Sequence, residues 1–130
     1  MPEPFQEFSK ASYVSLATYR KSGVKVATPV WCAPSGEELY VFSAGAAGKV
    51  KRLRNSSRAQ LAVCDMAGKV LGDWRDATGV LLHDPVEIER ALKALHKKYG
   101  WQMWLADVGA KLSGKFHKRA YVCLSLSELT

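Results

Sequence analysis

Three short alternating stretches stand close together in the first third of the chain, and the turns between them leave little room for anything but direct pairing. Ser12–Thr18 (SYVSLAT), Val24–Ala33 (VKVATPVWCA) and Glu38–Ala44 (ELYVFSA) are rich in β-branched and aromatic residues, which suit a pleated, half-buried surface. Only Arg20–Gly23 and Pro34–Glu37 separate them. A parallel pair needs a crossover of about a dozen residues, so these neighbours are expected to run antiparallel. Pro29 cannot donate to a ladder, so the second strand is expected to be broken, bulged or at an edge there.

The rest of the chain adds strands on either side of a helical excursion. Pro4–Lys10 reads as a short turn or helix. Lys49–Asn55 reads as a short helix anchored by Val50 and Leu53. Ala59–Met66 is a fourth strand, Ala67–Gly68 a tight turn, and Lys69–Leu82 a long, bulged fifth strand. Asp84, Pro85 and Glu87 form a helix start, with a cap, a first-turn proline and an acid three residues after the cap. Ile88, Ala91, Leu92, Leu95 and Tyr99 make an apolar stripe that Gly100 ends. Helical periodicity resumes over Trp101–Leu112, and Ala120–Leu126 closes the chain as a sixth strand. The expectation is a mainly β protein, an antiparallel barrel or sandwich with helices to one side. With six short strands, closure into a barrel best removes exposed edges.

At 130 residues, with 48% hydrophobic and 24% charged residues, the chain is expected to form one domain over 1–130 and not a disordered segment. Cys32, Cys64 and Cys123 form no CxxC pair, so no zinc site is expected; reduced core thiols and a cytoplasmic location are. No apolar run reaches the ~18 residues of a membrane span, and the opening MPEPFQEFSK has no signal-peptide core. His83, His96 and His117 have no metal-binding spacing and read as surface or helix-face residues. The net charge of +7 points to an anionic partner without naming it.

That charge is densest in 43–58 (SAGAAGKVKRLRNSSR). Lys49, Lys51, Arg52, Arg54 and Arg58 occur there without an acid, after a Gly/Ala loop and at a helix start. Free N–H groups and the helix dipole favour an anion at such a place, and Ser43 can add a hydroxyl. The spacing is not a Walker loop, because two residues separate Gly45 from Gly48 and Val50 stands where Ser or Thr would bind magnesium. A solvated basic face explains the segment equally well. The second candidate is Thr28–Trp31 (TPVW), where Pro29 frees backbone and Val30 and Trp31 offer a wall for a flat ring. A bulge with a core tryptophan is the competing explanation.

The ordered segments TPVW, LYVFS, GKVKRLR and RDATGVLL, with HKKYGW at His96–Trp101, resemble the pyridoxamine 5′-phosphate oxidase-like split-barrel flavoproteins. Within them the chain is most similar to the small branch that uses the deazaflavin coenzyme F420. The resemblance spans Ser12–Leu126. It implies a six-stranded antiparallel split β-barrel with a few flanking helices, forming a homodimer with FMN or F420 at the subunit interface. It implies that Thr28, Pro29, Val30 and Trp31 lie along the ring, and that Ser43 and Lys49, with Lys51 and Arg52 beside them, hold the phosphate. The implied activity is hydride transfer to or from a small-molecule substrate. Ala27 stands where the oxidase proper has a phosphate-binding arginine. The sequence also ends at Thr130, without the oxidase's substrate-binding C-terminal segment, so pyridoxamine phosphate oxidation is not expected.

Two other classes compete. One is a non-catalytic protein that carries a flavin or another planar ligand. The other is a nucleic-acid binder using 49–58, the helix bases Arg90, Lys93, Lys97 and Lys98, and 111–119 (KLSGKFHKR). Trp101 and Trp104 fall on the apolar helical stripe, where core or dimer packing is expected in place of base stacking. Nucleic acid and membrane are therefore not expected partners.

Overall fold

The computed structural model describes residues 4–127; residues 1–3 and 128–130, the ends of the expected domain, lie outside the described part. A single seven-stranded sheet forms the body. Its strands are β1 (Tyr13–Tyr19), β2 (Lys25–Val30), β3 (Cys32–Ser35), β4 (Glu38–Ala44), β5 (Arg58–Cys64), β6 (Arg75–Leu81) and β7 (Arg119–Leu126). Four helices flank it: α1 (Pro4–Lys10), α2 (Gly48–Asn55), α3 (Pro85–Tyr99) and α4 (Trp101–Leu112).

The spatial order is β2-β1-β5-β6-β7-β4-β3, with every pair antiparallel. The two outermost strands are consecutive in sequence and are joined through Trp31 alone. The sheet thus curls until its edges meet at one residue, and the chain closes the ring where hydrogen bonds do not. That is a split barrel.

The count of six strands is corrected to seven. The expected strand Val24–Ala33 divides at Trp31, because its first half pairs with β1 and its second half with β4. Pro29 does not break the strand. It sits in β2, which pairs only with β1 and so is an edge. The expected long strand Lys69–Leu82 is also shortened. Only Arg75–Leu81 pairs continuously, and Val70 makes one isolated bridge to Cys64 before the chain bends.

Period-two alternation builds the barrel interior. Val14 and Leu16, Leu39 and Val41, Ala59 and Leu61, and Val122 and Leu124 all point inward and are almost wholly buried. Helix α2 closes one end, with Val50 and Leu53 buried as their i,i+3 spacing predicts. A Cβ on Gly79 would lie 3.0 Å from Leu53 Cδ2 and 3.2 Å from Leu124 Cδ2, so glycine at this β6 position makes room for the plug. A second cluster lies outside the barrel. There Ala91, Ala94, Leu95 and Tyr99 of α3 cover Ala33, Tyr40 and Tyr121. Asp84 caps α3 by accepting the Val86 N–H at 2.9 Å, as the sequence predicts. Cys32 and Cys64 are buried and Cys123 half-buried, all as free thiols.

Of the two packings expected for the α4 tryptophans, core or dimer, the chain's own core does not provide the first. Trp101 and Trp104 are 70% and 59% exposed, and Leu105 and Leu112 are exposed beside them. In this chain Met103 and Asp107, not the tryptophans, are the buried residues of α4. His96, expected as a surface or helix-face residue, lies half exposed on α3, its Nε2 2.6 Å from Asp107 Oδ2.

Candidate functional site

The seam of the barrel opens into a cleft of about 310 Å³, lined by Tyr13, Pro29, Val30, Trp31, Phe42, Ser43, Lys49 and Ala106. Strand β4 continues past its pairing with β3, so Phe42–Ala44 face the unpaired side of β2 across this opening. Two sequence segments that are far apart in the chain therefore meet here: Pro29–Trp31 from the strand edge, and Ser43 and Lys49 from either side of the small loop.

The edge of β2 offers backbone groups to the seam. Its ladder with β1 is unbroken from Lys25 to Val30 although Pro29 has no N–H. Opposed residues in an antiparallel pair alternate between exchanging both bonds and exchanging none. An unbroken ladder therefore requires Thr28 and Val30 to exchange bonds with β1 and Pro29 to lie at a non-exchanging position. The Pro29 carbonyl, and both backbone groups of Ala27, are turned away from β1 toward the open edge. They are free to bond a ligand.

Trp31 forms the flat wall. Its indole stacks on the Tyr99 ring at 4.7 Å between centroids and 12° between planes, and meets Phe42 edge-on at 6.0 Å. Such pairs contribute about 0.5–1.5 kcal/mol beyond area burial and hold the ring in one orientation. Tyr99 is itself fixed, since its hydroxyl accepts the Cys32 N–H at 2.9 Å and donates to the Ser12 carbonyl at 2.9 Å. Burial pushes the Tyr99 hydroxyl well above the ordinary tyrosine range, so it stays a neutral donor. Lys98 reinforces the same junction, its Nζ donating to the carbonyls of Ala11 and Cys32.

Lys49 forms the polar end. Among the described residues it has no ion-pair partner, although it is half-buried. Burial, and then the nearby Arg52 guanidinium, hold its ammonium below the ordinary lysine range. A cation desolvated in this way gains strongly from an anion that enters beside it.

The other bases of the 49–58 segment scatter. Arg52 donates from Nε to Thr18 Oγ1 at 2.6 Å, and its guanidinium folds back over Gly48. Arg58 stacks over Tyr19 at 3.8 Å, and Lys51 and Arg54 are exposed. Of the eight residues singled out by sequence, Pro29, Val30, Trp31, Ser43 and Lys49 line the cleft; Lys51 and Arg52 do not. Thr28 does not line it either. It faces the same side of β2 as Val30, with its Oγ1 buried and without a partner.

Tyr13, Phe42 and Ala106 complete the lining and were not singled out by sequence. Tyr13 and Phe42 look like ordinary strand aromatics, and Ala106 lies on a helix whose docking only tertiary structure reveals. Tyr99 was legible as a buried helix position, but nothing local in the sequence ties it to Trp31.

The fold is a split barrel whose seam is a cleft with a fixed aromatic wall and a half-buried ammonium at one end. The pyridoxamine 5′-phosphate oxidase family model matches residues 1–129, and the chain belongs to that family. Solved structures share the fold at low identity. The heme storage protein HutZ of Vibrio cholerae superposes with TM-score 0.71 at 14% identity, over 98% of this chain and 92% of that one. An F420 reductase superposes with TM-score 0.62 at 17% identity, over 98% and 97%. A conserved hypothetical protein of Mycobacterium tuberculosis gives TM-score 0.66 at 17% identity, over 92% and 76%. The chain spans about half the length of two further matches, a protein of unknown function from Agrobacterium tumefaciens and ChuZ of Campylobacter jejuni. No curated protein sequence matches significantly. No helix among the described residues is long and apolar enough to cross a membrane.

Proposed function

We propose that this chain is an oxidoreductase that binds FMN or coenzyme F420 in the seam cleft and transfers hydride to or from a small-molecule substrate. The observation that carries the reading is Lys49: a half-buried cation without an ion-pair partner among the described residues, at one end of a cleft walled by an immobilised Trp31. The residues present fit the group. Lys49 and the Ser43 hydroxyl would hold the phosphate, and the Pro29 carbonyl and Ala27 backbone groups would meet polar edges of the ring. The cofactor supplies the hydride chemistry; the protein binds, orients and excludes water. No residue is assigned as catalytic.

A homodimer completes this reading. The cleft is open on one side, and α4, which contributes Ala106 to it, carries the exposed Trp101, Trp104, Leu105 and Leu112. A contiguous apolar face of this kind is what association covers.

A second reading is a non-catalytic carrier of a planar ligand, in keeping with the heme storage protein among the structural neighbours. Tyr13 and Lys49 are the only ionisable groups lining the cleft among the described residues, which gives little apparatus for acid–base chemistry. Anaerobic photoreduction of bound FMN or F420, followed by mixing with a quinone acceptor, separates the readings. Reoxidation faster than that of the free cofactor supports the oxidoreductase. Tight binding without acceleration supports a carrier of that cofactor, and failure of both cofactors to bind removes the oxidoreductase and leaves only a carrier of some other planar ligand.

A further inference from the structure

A second cavity, of about 410 Å³, adjoins the cleft and shares Phe42 and Ser43 with it. Ala44, Gly45, Ala46 and Ala110 form its apolar floor, and Lys115, Lys118 and Arg119 stand around it. We propose that this cavity is an anionic subsite, taking a carboxylate or phosphate attached to an apolar body that reaches it past Phe42. The inference rests on the cleft reading only in placing the ligand's ring against Trp31.

The subsite is built rather than incidental. The Gly45 N–H donates to the Lys118 carbonyl at 2.8 Å, and a Cβ at Gly45 would stand only 2.2 Å from that oxygen. The β4–α2 loop can approach the segment before β7 this closely only because residue 45 is glycine. Arg119 is equally fixed. It donates to Asp107 Oδ1 at 2.6 Å, and its guanidinium lies over Phe42 at 4.6 Å and Phe116 at 5.0 Å. Asp107 is mostly buried and already balances Arg119. Lys115 and Lys118 have no ion-pair partner among the described residues, so they supply the uncompensated charge.

An apolar floor with two uncompensated ammonium groups at its rim selects an organic acid over its neutral analogue. Free inorganic anions would leave the floor uncovered. The acid can belong to the cofactor's own side chain or to the substrate, and the two sources are separable.

The test uses the full chain without cofactor and two fluorescent probes, 2-naphthoate and the neutral 2-naphthalenemethanol. Wild type is expected to prefer the acid by roughly tenfold, the scale of a charge-assisted contact. The double variant Lys115→Ala/Lys118→Ala should lose that preference while keeping wild-type circular dichroism, since both side chains are exposed. Loading with F420 then assigns the source. Expulsion of naphthoate, with weaker F420 but unchanged FMN binding in the double variant, assigns the acid to the cofactor. Retention of naphthoate by the loaded protein assigns it to the substrate. Equal affinity of wild type for acid and alcohol, or an intact preference in the double variant, overturns the proposal. Because the comparison is made without cofactor, its failure is distinct from a failure of FMN or F420 to bind.

Discussion

Lys49 and Arg119 are both partly buried cations near the seam, and the difference between them decides their roles. Arg119 is satisfied by Asp107, with side-chain exposures of 7% and 12% for the pair. Replacing Arg119 by Ala would leave a buried carboxylate facing only His96, and about 3–5 kcal/mol of stability should be lost in urea denaturation. Lys49 has no such partner among the described residues and is the one held in readiness. Lys49→Ala should weaken the cofactor by about 1.5–3 kcal/mol, the worth of a charged hydrogen bond, in a fluorescence titration; unchanged affinity would remove its role. Burial lowers the Lys49 ammonium below the ordinary lysine range, so the neutral form gains ground as pH rises toward that range. Cofactor affinity should therefore begin to fall at a pH below 10.5, the usual lysine value, and Lys49→Arg should flatten that decline. A parallel decline in both proteins would assign the titration to another group.

The elements were legible in the sequence where one local rule decides them. Helix α3 carries its cap, its first-turn proline and its stripe, and it forms where these place it. Strand β4 keeps its bounds at Glu38–Ala44. The division at Trp31 was not legible, because pairing with β1 on one side and β4 on the other is a tertiary fact. The same limit applies to the basic segment. The five bases of 49–58 look equivalent in a string, yet helix α2 sends Lys49 to the cleft and Arg52 to Thr18, while Arg58, already in β5, lies over Tyr19. The exposure of Trp101 and Trp104 was hidden as well, since an apolar stripe does not say whether its own chain or another covers it. One element-level device is directly testable. Gly79→Ala forces a methyl between Leu53 and Leu124, so urea denaturation should show a loss of about 1–3 kcal/mol. Undiminished stability would mean that α2 does not plug the barrel tightly.

At the scale of the molecule, a sheet closed covalently at Trp31 leaves one gap in an otherwise paired cylinder, and the candidate site lies around that gap. The free edge of β2, the stacked Trp31, the loop before α2 and the basic turn before β7 all border it. The exposed face of α4 adds a prediction about assembly: light scattering should give a dimer for wild type, and Trp101→Glu/Trp104→Glu should shift it toward monomer. A wild-type monomer at the same concentration would contradict the homodimer. Part of the net charge of +7 becomes local at this scale, as one half-buried cation at the seam and two exposed ones beside it. The most direct test of the whole account is a visible-absorption titration of the purified full chain with FMN and, separately, with F420. Wild type should give a saturable spectral shift with at least one of them, approaching one cofactor per chain, and Lys49→Ala should need markedly more cofactor to reach it. A folded wild-type protein that shifts neither spectrum would contradict the assignment of the seam as a cofactor site.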